Sequence, residues 1–107
     1  MSGVRRSETR GILRRLLAKR GIGRFALFLT QQEGKQLPGG IESLSGFVLT
    51  GAGEVYGFWL DWDGPEGEYV LDPWYRVADL SDLACDPEYH RARRELGLGD
   101  AGVMGDG

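Results

Sequence analysis

Residues 47–72 read FVLTGAGEVYGFWLDWDGPEGEYVLD, and this stretch decides the fold. FVLT at 47–50 and EVYGFWLDW at 54–62 are rich in β-branched and aromatic residues, and Gly51-Ala52-Gly53 separates them. A three-residue, glycine-containing link between two such runs reads as a hairpin. Asp63-Gly64-Pro65-Glu66-Gly67 is a second turn, and EYVLD at 68–72 returns as a third strand that Pro73 is expected to stop. WYRV at 74–77 is a possible extension. Along 54–62 the side chains alternate: Tyr56, Phe58, Leu60 and Trp62 share one face, and Val55, Gly57, Trp59 and Asp61 share the other. The first face is the expected core.

Outward from this meander, residues 24–30 (RFALFLT) form an apolar run that fits a strand covered on both faces. Residues 31–40 (QQEGKQLPGG) read as a loop, because Gly34, Pro38, Gly39 and Gly40 punctuate them. Residues 4–20 read as an amphipathic helix with Ile12, Leu13, Leu16 and Leu17 on its apolar stripe. Gly11 weakens its first half, so the firm part is expected over 12–20. Gly21 is the expected stop. A last helix begins with Asp86 as N-cap and Pro87 as its first residue, and ends at Gly97. Tyr89, Ala92, Arg93 and Leu96 mark its inner side.

The expected class is therefore α+β: a small two-layer domain with a three- to four-stranded antiparallel meander. Its N-terminal and C-terminal helices both cover the Tyr56/Phe58/Leu60/Trp62 face. The domain spans 1–98, and the Gly-rich residues 99–107 are expected to be disordered.

Composition bounds the function more than it identifies it. The chain has 107 residues, 41% hydrophobic and 27% charged, which suits one soluble domain. No apolar run is long enough for a membrane helix, and no signal-peptide pattern opens the chain, so a cytoplasmic location is expected. Arg outnumbers Lys 11 to 2 and Asn is absent, a bacterial-like bias suited to a GC-rich genome or a hot habitat. One cysteine, Cys85, and one histidine, His90, exclude a Cys/His zinc site and an internal disulfide. No nucleophile-elbow, phosphate-loop or zinc-protease pattern is present, and no cofactor is expected.

Three function classes remain. The first is a non-catalytic binding module. Six Trp and Tyr residues fall within positions 56–75, too many for one small core, so some must face outward. Trp59, Asp61, Trp74 and Tyr75 are the expected contact surface for a protein partner or a second copy, with an exposed sheet edge as another route to pairing. The second is nucleic-acid binding by the basic N-terminal segment. Residues 1–36 carry nine basic and two acidic residues, a charge of +7, while 37–107 carry four and fourteen, a charge of −10. Arg10, Arg14, Arg15, Arg20 and Arg24 would contact phosphates, unless the segment docks on the acidic half of its own chain. The third is a metal-dependent hydrolase using Asp61, Asp63 and Asp72, although acidic residues around a tight turn are usually only solvated.

Overall fold

The computed structural model describes residues 2–99, with side chains from residue 8 onward. Helix α1 spans Ser2–Lys19 and strand β1 Phe25–Gln36. Strands β2 (Glu42–Thr50), β3 (Val55–Asp63) and β4 (Glu68–Arg76) follow. A single 3₁₀ turn, Leu83–Cys85, precedes helix α2, Pro87–Glu95. The four strands lie in the order β1-β2-β3-β4, each antiparallel to its neighbour. The α+β class, with its meander flanked by a helix at either end, is as the residues predict. The glycine-rich tail from residue 100 lies outside the described residues.

Both helices end on the same device. Gly21 (φ 80°) follows α1, and the amides of Gly21 and Ile22 donate to the carbonyls of Ala18 and Leu17 at 3.0 and 2.9 Å. Gly97 (φ 74°) follows α2, and the amides of Gly97 and Leu98 donate to Arg94 and Arg93. A left-handed residue here turns the chain back over the last carbonyls, and glycine does so without a Cβ penalty. At the other end of α2, the Asp86 carboxylate accepts from the Glu88 amide at 2.8 Å, as the Asp-Pro pair implies. The α1 helix runs unbroken through Gly11, so its first half is helical where only 12–20 was expected to be firm.

Three expectations are corrected. First, residues 31–36 are strand and not loop. Gln31 pairs with Ser45, Gln32 with Leu44 and Gln36 with Glu42, and bulges absorb the surplus residues, including Gly34. The glycine marks an irregularity within a strand instead of its end. Second, Pro73 does not stop β4. Phe58 pairs with Trp74 and Leu60 with Leu71, so one extra residue of β4 bulges out beside the proline. An edge strand tolerates this, because the missing N–H faces away from the sheet.

Third, the helices lie on opposite faces. Ile12, Leu13 and Leu17 of α1 pack with Val48, Phe58, Leu60 and Leu71, as expected, joined by Leu37 and Ile41 from the β1–β2 connection. Tyr89, Ala92 and Leu96 of α2 pack instead with Ala26, Phe28, Leu49 and Val55. Neighbouring residues of one strand point to opposite sides, so Val48 and Leu49 serve different cores. The apolar runs at 25–28 and 47–49 supply both faces of one sheet corner, and α2 closes the second. Burying such side chains contributes roughly 1.5–3 kcal/mol each before entropy is counted.

Candidate functional site

The α2 core covers only part of its face. Beyond it a strip of sheet stays open, built from Ser43 and Ser45 of β2, Gly57, Trp59 and Asp61 of β3, and Tyr75 of β4. Trp59 is 37% exposed and Tyr75 50%. Each ring is held. The Trp59 indole Nε1–H donates to Ser43 Oγ at 3.2 Å, and Ser43 has no exposed surface. Tyr75 lies opposite Gly57, and its ring fills the space above that glycine: a Cβ on Gly57 would stand 2.2 Å from Tyr75 Cζ. Gly57 thus lets the ring lie flat on the sheet, a close approach that an isolated glycine inside a strand pattern suggests.

Asp61 completes the strip. Its Oδ1 accepts from Lys35 Nζ at 2.7 Å and from the Trp62 amide at 2.8 Å. The lysine bond, helped by the amide, holds the carboxyl below the usual carboxylate range. Lys35 reaches across β2 because it leaves the β1 bulge between Gln32 and Gln36. Glu33, from the same bulge, accepts from the Ser45 hydroxyl. Asp63, Glu66 and Glu68 sit at the adjoining β3–β4 turn and Asp72 midway along β4, all without a cation partner among the described residues.

Trp74, expected with this group, is elsewhere. The β4 alternation turns it to the α1 face, where it is half-buried and stacks on Tyr56 at 4.7 Å with ring planes 11° apart. On this face the Arg20 guanidinium carbon lies 4.8 Å from the Trp74 ring centre. These groups line a cavity of about 370 Å³ together with Arg24, Thr50, Glu54 and the backbone of 21–23 and 51–52. Glu54 is occupied: it accepts from Tyr56 Oη at 3.1 Å and pairs with Arg76 at 3.6 Å. Burial, and then that hydrogen bond, push the Tyr56 phenol above its ordinary value.

The five arginines of the basic segment divide. Arg10 sits over Phe25, Arg20 on Trp74, and Arg24 donates to Leu96 O at 2.9 Å. Arg14 and Arg15 are exposed, as is Lys19, and none of the three meets a carboxylate among the described residues. The acidic trio is not brought together as a metal site: no group of three His, Cys, Asp or Glu suited to an ion occurs among the described residues. Cys85 is exposed and free. Of the C-terminal arginines, Arg91 pairs with Glu88 and Glu95 and donates to Leu27 O on the β1 edge. Arg93 is buried, donating to the carbonyls of Gly99 and Leu98.

Reasoning from sequence missed Lys35, Ser43 and the cavity. Lys35 and Ser43 lie in stretches read as loop or left unassigned, and the cavity forms only where two chain turns meet Tyr56 of β3 and Trp74 of β4. The search for relatives finds no match to this chain among family models, curated proteins or solved structures.

Proposed function

We propose that this chain is a non-catalytic binding module whose contact surface is the open strip of Trp59, Tyr75 and Asp61. One observation carries the reading: the two largest exposed aromatic rings share one uncovered face, and internal packing fixes both. Rigid aromatic rings supply contact area at little entropic cost, which is why they anchor interfaces.

The partner is a polypeptide segment that combines apolar and cationic side chains. Charge complementarity argues for this, since Asp63, Glu66, Glu68 and Asp72 lack cation partners among the described residues while Asp61 already has Lys35. Docking is face-on. Edge pairing is disfavoured because β4 carries Pro73 and a bulge, and β1 carries two irregularities and the Arg91 contact to Leu27 O. No helix among the described residues is long and apolar enough to cross a membrane. The free thiol of Cys85 suits a reducing compartment such as the cytoplasm.

The test is a fluorescence titration with a synthetic peptide of alternating leucine and lysine, against the same peptide with glutamate for lysine. The cationic peptide is expected to bind, and Trp59→Ala and Tyr75→Ala are each expected to weaken it at least tenfold without loss of the circular-dichroism signal. Equal binding of both peptides, or no effect of either substitution, overturns the reading. Concentration-dependent sedimentation abolished by Trp59→Ala would replace the peptide with a second copy as occupant.

A further inference from the structure

The α1 face offers a second site, independent of the strip. Arg14, Arg15 and Lys19 form an exposed basic row along α1 that finds no carboxylate among the described residues. At the helix end Lys19 is followed by Arg20, which lines the cavity of about 370 Å³ together with Arg24. Arg10, Arg20 and Arg24 of the basic segment pack on the chain itself, whereas the acidic residues beyond position 36 do not neutralise this row among the described residues.

Arg20 is the central residue. Tyr56 stacks on Trp74, and the Arg20 guanidinium lies over the Trp74 ring. A guanidinium resting on an aromatic ring keeps its donors and loses little further entropy on meeting an anion. Two features that would repel an anion here are both already satisfied. Glu54 is engaged by Arg76 and Tyr56. The last α1 carbonyls, those of Leu17 and Ala18, accept from Ile22 and Gly21 and so are turned onto the helix end.

We propose that this face binds single-stranded nucleic acid. The basic row contacts successive phosphates, and the cavity takes one base against the Arg20 guanidinium. A row of cations beside an Arg–aromatic stack is the chemistry by which unpaired strands are held without sequence preference.

Anisotropy of a fluorescein-labelled fifteen-residue oligothymidine tests this on the full chain. For single strands, log K falls with log salt at about −0.7 per phosphate contacted. Four contacts, from Arg14, Arg15, Lys19 and Arg20, predict about a 50-fold loss between 50 and 200 mM NaCl. Arg20→Gln is expected to weaken binding at least fivefold. Because Arg20 also packs on Trp74, the double variant Arg14→Gln/Arg15→Gln gives a second readout at residues exposed to solvent, and should lower the salt slope by about 1.4. Trp59→Ala should bind as the wild type does. No binding at 50 mM NaCl, a slope unchanged in the double variant, or equal affinity for the matching duplex or for heparin overturns the proposal.

Discussion

The two faces of the sheet are built from the same strands and end differently. Under α1 the apolar side chains of β2, β3 and β4 are covered along most of their length, from Val48 to Leu71. Under α2 only the corner around Ala26, Phe28, Leu49 and Val55 is covered, and the strip from Ser43 to Tyr75 stays open. Two things set the contrast: α2 is short, and the α1 face gains Leu37 and Ile41 of the β1–β2 connection beside Ile12, Leu13 and Leu17. The nine residues of α2 reach about 13 Å at 1.5 Å per residue, while a nine-residue strand extends about 30 Å. A helix of two and a half turns leaves over half the strand length without a roof. On this domain, coverage is set by the helix and connection residues supplied to each side, and the side without a covering connection keeps surface available for contact.

Substitutions in the two cores give the largest effect. Tyr89→Ala removes a ring that is 2% exposed and tilted against Phe28 at 5.6 Å, and should cost about 3–5 kcal/mol in urea denaturation. Leu17→Ala, on the other face, should cost about 2–4 kcal/mol. A loss below about 1 kcal/mol for either would show that its face is not a packed core and would dissolve the contrast.

Gly57 sharpens the comparison on the open side. Gly57→Ala sets a methyl group against the far end of the half-exposed Tyr75 ring, which must swing aside, and should cost about 1 kcal/mol. Tyr75→Ala clears that space, so the double variant should be less destabilised than the two single costs added together. Strict additivity would mean that Tyr75 does not rest on Gly57 in solution.

The smallest effect belongs to Asp61. Its carboxyl titrates below the unfolded value of about 3.9, so its contribution is complete at neutral pH and is lost as pH falls through the lower, folded value. The pair is solvent-accessible, which limits the contribution to about 1 kcal/mol or less. Asp61→Asn should therefore lower the urea midpoint slightly at pH 7 and progressively less below pH 4. A gap that widens in acid would contradict the Lys35 contact.

Much of this architecture is legible in the residues. The Gly51–Gly53 and Asp63–Gly67 turns, the Asp86-Pro87 start and the Gly21 and Gly97 stops all act through local backbone chemistry, and all stand where the sequence puts them. The failures are non-local. Nothing near Gly34 distinguishes a bulge from a loop, because the pairing that decides it lies with Ser45, Leu44 and Glu42. Alternation assigned Trp59 and Asp61 to one face of β3, but across β4 the bulge at Pro73 intervenes, and Trp74 and Tyr75 had to be separated by the structure. The division of the helices between faces was hidden because runs such as Phe25–Phe28 are apolar on both sides.

The three tryptophans occupy three distinct surroundings. Trp59 meets solvent with its N–H tied to Ser43, Trp62 stands edge-on to Tyr69, and Trp74 lies between Tyr56 and Arg20. The molecule thus carries one native chromophore on its open face and two, both half-buried, on the α1 face. Replacing Trp62 and Trp74 by phenylalanine leaves Trp59 as the one emitter, and replacing Trp59 and Trp62 leaves Trp74, so occupancy on either side is readable by colour without attaching a dye.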